Sequence, residues 1–128
     1  GNPIACRAAL AVLEILFEDN LMAQSVKLGN VLEARFNALQ QRHGIVGEVR
    51  GKGPMLAMEL VEDRESKTPA TDKAKALVGR CFDKGLVLLS CGNFGNVIRT
   101  LMPLVITDEQ LDKGLAILEE SLEEVERS

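Results

Sequence analysis

The sequence begins with a segment that is apolar on almost every side of a helix. Asn2 followed by Pro3 is typical of an N-cap and a first helical position, so a helix is predicted to start there. Residues 4–17 are almost entirely apolar and contain only two charged residues, both on nearly the same face. A helix with so little polar surface should be buried nearly all round. We therefore expect residues 1–18 to form a helix that packs on a missing larger domain.

Hydrophobic periodicity predicts three further helices and four strands. The predicted helices lie at about 21–42, 71–85 and from 107 onward, and the strands at about 45–50, 54–61, 86–89 and 97–101. This order favours an α+β fold, a mainly antiparallel sheet with helices packed on one side. Residues 19–128 are expected to form this small domain.

Several residues are predicted to shape the ends and contacts of these elements. Gly44 is expected to end the second helix in a left-handed conformation, and either Thr71 or Asp72 to cap the third. Thr107 and Gln110 have the spacing of a capping box. Gly29 lies inside a helix, where glycine is unfavourable, so another element is expected to approach it closely. The glutamate-rich last helix is interpreted as having a solvated acidic face.

Composition excludes several classes of function. The chain has 128 residues, which is one domain by length, with a net charge of −4 and 3% aromatic residues. That charge argues against a phosphate-binding face, and the scarcity of aromatic residues argues against nucleic-acid stacking. No apolar run is long enough to span a membrane. We therefore expect neither nucleic acid nor membrane as a partner.

The cysteines and the single histidine give no sign of a metal site or of disulfides. Cys6 and Cys81 lie in apolar helical patterns and are expected to be buried thiols, whereas Cys91 lies in a glycine-rich loop and is a candidate for lining a site. An odd number of cysteines favours a reducing, cytoplasmic location. His43 is predicted to face solvent near the end of a helix.

Arg99 is the main candidate for binding chemistry. In a strand over residues 97–101, alternation places it on the same face as Val97 and Leu101. A guanidinium among aliphatic neighbours needs either a route to water or an anion. It therefore either extends to solvent or pairs with a structural carboxylate, or it binds the carboxylate of a ligand bidentately.

No motif in the chain supports a reaction by itself. There is no metal cluster, nucleophile elbow, phosphate loop or Ser/His/Asp set. Lys52, Lys67 and Lys84 lie in polar or turn contexts and not in the apolar pocket that activates a lysine for Schiff-base chemistry.

Three motifs resemble the C-terminal domain of class-III, pyridoxal-phosphate-dependent aminotransferases. They are residues 1–6 (GNPIAC) before an alanine-rich helix, residues 49–60 (VRGKGPMLAMEL), and residues 88–92 (LLSCG) followed by 96–99 (NVIR) and 102–104 (MPL). Their order and spacing are most similar to the 4-aminobutyrate aminotransferase branch of that family. The resemblance extends over the whole chain.

The resemblance implies a role for particular residues. Arg99 matches the arginine that binds the substrate carboxylate, and Gly92 and Cys91 would lie near the substrate channel. Arg50 would fix the sheet or a domain interface and would not be catalytic. The cofactor lysine, the acidic residue facing the pyridine nitrogen and most of the phosphate site would belong to the large domain. We therefore expect no catalytic or cofactor-binding residue in this chain, which by itself should be inactive and should not bind pyridoxal phosphate.

The whole enzyme implied by the resemblance transfers an amino group from an ω-amino acid to a 2-oxo acid and is a homodimer or higher homo-oligomer. Aminotransferases for 5-aminovalerate or ornithine remain alternatives, because the pocket for the amine is formed elsewhere. Two other classes also remain open: a free-standing α+β regulatory module that binds a small carboxylate, and a structural dimerisation domain in which Arg99 has no ligand.

Overall fold

The computed structural model describes residues 1–128 and contains four helices and four strands. The elements are α1 (Pro3–Glu18), α2 (Leu21–Arg42), β1 (Val46–Lys52), β2 (Met55–Leu60), α3 (Thr71–Asp83), β3 (Leu89–Cys91), β4 (Val97–Arg99) and α4 (Asp108–Glu126). The strands form one sheet in the order β1-β2-β4-β3, and all neighbours are antiparallel. The predicted α+β fold with an antiparallel sheet is confirmed.

The core lies between one face of the sheet and helices α2, α3 and α4. Leu56, Met58 and Leu60 of β2 and Ile98 of β4 are buried on this face and belong to the same cluster as the apolar residues of the three helices. The intervening residues of β2 and β4 point to the opposite face, which the helices of this chain leave open. The open face is where the candidate site lies.

Helix α1 begins as the sequence predicts but is not covered. The Asn2 side chain accepts a hydrogen bond from the Ile4 N–H, and Pro3 opens the helix. The helix ends at Glu18, and Asn20 turns the chain into α2 with a left-handed φ of 52°. Not one residue of α1 is buried. Its apolar surface therefore lacks the cover that the sequence predicts for it.

The closest approach between elements occurs at Gly29, as predicted. A Cβ built on Gly29 of α2 would lie 2.6 Å from the Cα of Gly53, in the turn between β1 and β2. The absence of a side chain at Gly29 thus lets the β1–β2 hairpin pack directly on α2.

Predictions about helix ends had mixed outcomes. The Thr107–Gln110 capping box is confirmed, with both reciprocal hydrogen bonds present. Neither Thr71 nor Asp72 caps α3 as predicted, because the N-cap is buried Ala70, which makes no side-chain cap hydrogen bond. Gly44 does not have the predicted positive φ. The Arg64 guanidinium instead donates to the carbonyls of Gln40, His43 and Val46 around the end of α2, which satisfies acceptors that a left-handed cap would otherwise serve.

The structure corrects the predicted strand over residues 86–89. The strand begins only at Leu89 and runs to Cys91, because β3 pairs with the three residues of β4 and its register is Leu89↔Arg99 to Cys91↔Val97. Residues 86–88 precede the paired region and line a cavity.

The environments predicted for Cys6 and His43 are also wrong. Cys6 is exposed, because α1 has no cover, whereas Cys81 is buried as expected. His43 is buried instead of facing solvent. It follows the last residue of α2 with an extended backbone, and its ring packs towards the end of α4, where Glu126 accepts a hydrogen bond.

The acidic residues of α4 are paired with two other helices instead of only facing water. Glu119 forms salt bridges with Arg35 and Arg42 of α2, and Glu124 with Arg80 of α3 and with Lys84, the C-cap of α3. The hydrogen bonds from Lys84 and Arg80 lower the pKa of Glu124. These contacts orient α4 across α2 and α3 on the covered side of the sheet.

Candidate functional site

Arg99 is the last residue of β4 and points to the open face of the sheet. It pairs with Ala57 of β2 on one side and with Leu89 of β3 on the other. Its neighbours along the chain, Ile98 and Thr100, are buried on the helical side, so strand alternation directs the arginine outwards. Arg99 is exposed, as alternation predicts, but the strand ends at Arg99 and does not continue to Leu101 as the sequence predicted.

Arg99 is also the one arginine whose side chain has no hydrogen bond or salt bridge within the chain. Every other arginine makes such contacts with a carboxylate or a backbone carbonyl; these are Arg7, Arg35, Arg42, Arg50, Arg64, Arg80 and Arg127. Pairing with a structural carboxylate of this chain is thus excluded, whereas extension to solvent and binding of a ligand's carboxylate both remain open. The guanidinium keeps its full set of donors available for an anion.

Arg50 lies on the same open face but has a different environment. It pairs through β1 with Ala57, so the two arginines are separated by two strand spacings, about 10 Å. Its guanidinium lies 2.6 Å from a carboxylate oxygen of Glu59 and 3.0 Å from one of Glu48. The hydrogen bond to Glu59 raises the pKa of Arg50 further above its usual range. Arg50 is therefore neutralised by its own sheet, in keeping with the structural role expected of it.

Arg99 contributes to the lining of an apolar cavity of about 430 Å³ at the sheet edge, but the rest of this cavity lies between the sheet and α4, on the covered side of the sheet. Residues 86–89, residues 100–103, Leu32 of α2 and the facing side of α4 line it, with Thr100 and Gln110 as further polar groups. Arg99 is the only charged residue in the lining. On the open face, the exposed and unpaired guanidinium is able to bind a carboxylate bidentately.

The other two predicted site residues, Cys91 and Gly92, lie on the far side of Arg99 from this cavity. Cys91 is half-buried and pairs with Val97, which precedes Arg99 by two residues on the same face. Gly92 has a φ of +83°, and a Cβ built on it would lie 3.0 Å from the Val97 side chain. The glycine loop thus covers Val97. The structure brings these two residues close to β4 but does not place them in the cavity lining.

Two residues that sequence reasoning did not select hold the ends of the strand that carries Arg99. Asn96 and Thr100 are both buried and both make side-chain hydrogen bonds to β2 or to the turn before it. In the sequence, the only indication of this role was a polar residue on each side of a short strand. The hydrogen bonds that Asn96 and Thr100 make could not be predicted from it, because they depend on the position of β2.

The structure contains no group of three or more His, Cys, Asp or Glu side chains able to hold a metal ion. None of its helices combines the length and apolar character needed to cross a membrane.

This antiparallel sheet, covered on one side and carrying a free arginine on the other, agrees with the family indicated by the sequence. A family model described as class-III aminotransferase matches residues 1–122, and the chain belongs to that family.

Relatives of known function support the same branch of the family. The chain is 48% identical over 125 residues to the 5-aminovalerate aminotransferase DavT of Pseudomonas aeruginosa, and 42% identical over 127 residues to the 4-aminobutyrate aminotransferase GabT of Escherichia coli. It is also 43% identical over 126 residues to a leucine/methionine racemase of Thermococcus litoralis. The matches cover 98%, 99% and 98% of this chain but only 29%, 30% and 28% of the relatives.

Solved structures agree on the fold. A Bacillus anthracis aminotransferase superposes with a TM-score of 0.87 at 34% identity, over 96% of this chain and 28% of that one. The chain therefore corresponds to a small domain of a larger aminotransferase.

Proposed function

We propose that this chain is the C-terminal, substrate-carboxylate-binding domain of an ω-amino acid aminotransferase. The enzyme would transfer the amino group of 4-aminobutyrate or a close analogue to a 2-oxo acid. The relatives named 4-aminobutyrate and 5-aminovalerate aminotransferase support this substrate class. Both named donors have a carboxylate at one end of an unbranched chain and an amine at the other.

The observation that carries the proposal is the unpaired, outward-facing guanidinium of Arg99. A charged donor set with no partner in the chain, beside an apolar cavity, is suited to binding a carboxylate in two parallel hydrogen bonds. Arg99 is exposed in this chain, so the remainder of the enzyme would have to exclude water from the contact and strengthen it.

The amine end of the donor would react outside this domain. The cofactor of class-III aminotransferases is pyridoxal phosphate, which supplies the electron sink for amino transfer when bound. The residues of this chain do not fit the covalent attachment of that group: no lysine lines the apolar cavity, and Lys27, Lys73 and Lys84 are engaged in salt bridges. The cofactor would therefore be held by the remainder of the enzyme.

Because the cofactor would be held outside this chain, we propose only the class of amino donor and not one particular compound. Donors of four and five carbons differ by one methylene, which a hydrophobic pocket distinguishes by only about 1–3 kcal/mol. Ornithine adds a second polar group near its carboxylate. The distance from Arg99 to the cofactor, which lies outside this chain, would decide among them.

The exposed helix α1 supports docking on the rest of the enzyme. Ile4 and Phe17 are 80% and 77% exposed, and Leu10, Val12, Leu13 and Ile15 are at least half exposed. Residues 1–18 would be covered by the large domain and by assembly into a homodimer or higher homo-oligomer. All three cysteines are free, which supports the expected cytoplasmic setting.

Two alternatives agree less well with these observations. A free-standing carboxylate-binding module would have to expose the whole apolar surface of α1 to water, which is unfavourable for a soluble monomer. A structural dimerisation domain gives no reason for an unpaired arginine beside a cavity. Racemisation remains a second candidate reaction, because one relative is named a leucine/methionine racemase and its substrates also carry a carboxylate.

The test uses the full-length enzyme and two donors that differ only in the carboxylate, 4-aminobutyrate and n-butylamine. Removing the fork of a bidentate carboxylate contact should cost about 2–4 kcal/mol, so Arg99→Ala should lower kcat/KM for 4-aminobutyrate about a hundredfold. Arg99→Lys should recover part of this loss, because an ammonium keeps the charge but not the planar fork. The kcat/KM for n-butylamine should change little.

Arg50→Ala is the matched control, because Arg50 lies on the same face but is already paired with Glu48 and Glu59. Arg50→Ala should change kcat/KM for 4-aminobutyrate and for n-butylamine by the same factor. Equal losses for the two donors in Arg99→Ala would show that Arg99 supports the structure and does not bind the substrate.

A further inference from the structure

We propose that Asn96 and Thr100 are positioning residues for Arg99, and that they fix the direction from which its guanidinium meets the substrate carboxylate. This inference rests on the proposed function of Arg99. It concerns two side chains that do not reach the open face and would act only through the strand between them.

The need for such residues follows from the shortness of β4. The strand has three residues, Val97–Arg99, and Arg99 is its last. The ladder with β2 ends at the pair Ala57↔Arg99, so regular strand pairing holds Arg99 on its N-terminal side only. A residue at the end of a three-residue strand would otherwise be free to splay away from the sheet.

Thr100 supplies the restraint on the C-terminal side. Its backbone N–H donates to the Leu56 carbonyl at 2.9 Å, and its hydroxyl oxygen accepts from the Leu56 N–H at 3.1 Å. The hydroxyl proton is then free to be donated to the Pro54 carbonyl, 2.7 Å away. Thr100 is 6% exposed, so these bonds do not compete with solvent. One side chain thus continues the ladder by a residue and ties it to the turn before β2.

Asn96 closes the other end of the strand in a comparable way. Its backbone carbonyl accepts from the Leu60 N–H at 2.8 Å, and its side-chain amide donates to the Leu60 carbonyl at 2.8 Å. The residue is 2% exposed. The Leu60 carbonyl also accepts from the N–H of Ala70, at the start of α3. Asn96 therefore connects the strand to both the sheet and the first turn of a helix.

Together the two side chains clamp β4 against β2 over a length of five residues, although only three are in the strand. Because alternate residues point to opposite faces, fixing Asn96 and Thr100 on the buried side leaves Arg99 oriented outwards. A binding group needs to be held to within about half an ångström, and packed, hydrogen-bonded neighbours provide this. The hydroxyl of Thr100, adjacent in sequence to Arg99, should have the larger influence.

The test compares Thr100→Val, which keeps the shape but removes the hydroxyl, with Thr100→Ser, which keeps the hydroxyl. In the full-length enzyme Thr100→Val should lower kcat/KM for 4-aminobutyrate about tenfold, mainly through KM, and leave n-butylamine nearly unchanged. Thr100→Ser should restore most of the preference for the donor with a carboxylate. Val125→Ala, a buried substitution in the last turns of α4, is the control for lost stability and should not change the ratio between donors.

A double-mutant cycle separates this inference from the function on which it rests. With Arg99→Ala present, Thr100→Val should cause no further selective loss, because the group that it positions is gone. If Arg99→Ala abolishes the preference but Thr100→Val lowers only the melting temperature or affects both donors equally, Thr100 is merely structural and the positioning role is wrong. If Arg99→Ala leaves the preference for 4-aminobutyrate over n-butylamine intact, the proposed function itself is wrong. Should Thr100→Val not yield soluble enzyme, Asn96→Leu takes its place with the same expected and contradicting results.

Discussion

The Nδ1 atom of His43 lies 2.6 Å from Oε2 of Glu126, and this contact joins the end of α2 to the last turn of α4. The second carboxylate oxygen of Glu126 accepts from the backbone N–H of Ile45 at 3.3 Å. Both partners are largely buried, His43 almost completely. The last helix is therefore fastened to the helix–strand junction by a carboxylate contributed from the far end of the chain.

This contact predicts a pH-dependent stability. Burial alone would raise the pKa of Glu126, but hydrogen bonds from His43 and Ile45 outweigh it and hold the pKa below its usual value of 4.5. A depressed carboxyl pKa stabilises the fold fully above the unfolded pKa, and the contribution is lost as the pH falls through the folded pKa.

Glu126→Gln should thus cost about 1.5–3 kcal/mol at pH 7, as expected for a hydrogen bond to a charged group. The difference in the free energy of unfolding between Glu126→Gln and wild type should shrink below about pH 4.5, where the wild-type carboxylate itself becomes protonated. Urea unfolding at fixed protein concentration measures both effects. Glu123→Gln, on the same helix with an exposed partner, should cost less than about 1 kcal/mol. A pH-independent difference for Glu126→Gln would contradict the assignment.

Gly29→Ala should destabilise the chain, although alanine is the better helix former. The new Cβ would lie 2.6 Å from the Cα and 2.8 Å from the carbonyl carbon of Gly53, and backbone cannot yield as a flexible side chain does. Overpacking of about 1–3 kcal/mol should exceed the helix-propensity gain of at most about 1 kcal/mol. Gly79→Ala in α3 is the matched control, since a Cβ there meets nothing within 4 Å and should stabilise. If thermal unfolding ranks the two variants in the opposite order, the close packing of α2 on the hairpin is not tight in solution.

The chain by itself should self-associate through α1. Its exposed apolar side chains gain about 1.5–3 kcal/mol each when fully buried, and a second copy can bury them in place of the large domain. Sedimentation should therefore show concentration-dependent association. Replacing Leu13 and Phe17 by lysine should weaken it, because both side chains are at least half exposed and no interior contact is lost. A monomer at high concentration, with α1 amides fully protected from hydrogen exchange, would contradict the expected docking role.

Pyridoxal phosphate should not become covalently attached to this chain alone. After incubation with the cofactor and reduction with borohydride, the intact mass should stay unchanged, because no lysine lies in the apolar cavity. The full-length enzyme treated in the same way is the positive control. Stoichiometric attachment to one lysine of the short chain would require a cofactor site that the proposed division of the enzyme does not contain.

Much of the local structure was predictable from the sequence. The bounds of α2, the capping box of Thr107 and the close approach at Gly29 follow from interactions within a few residues, or from one residue type in an unfavourable place. The outward direction of Arg99 follows from strand alternation alone. The helix bounds, the capping box and the direction of Arg99 depend on local chain pattern, and Gly29 marks a close contact without identifying its partner, Gly53.

Three of the wrong predictions share one cause: in each case the local structure is set by a contact with a segment far away in the sequence. His43 was expected in water because its partner, Glu126, is 83 residues away in sequence. The strand expected over 86–89 is displaced because its register is set by β4 and not by its own apolar run. The guanidinium of Arg64, in a polar segment, turned out to serve the end of α2 in place of a glycine cap.

The sequence by itself determined the helices, the β1–β2 strand pair, the family and the arginine most suited to a carboxylate, because these depend on local patterns and recognisable motifs. The tertiary structure alone decided that Arg99 lacks a partner, that a cavity lies beside it, and that Asn96 and Thr100 clamp its strand. Pairing and burial depend on which distant segments meet. That information is spread over the whole chain, and it becomes visible only when the sheet and its helices are assembled.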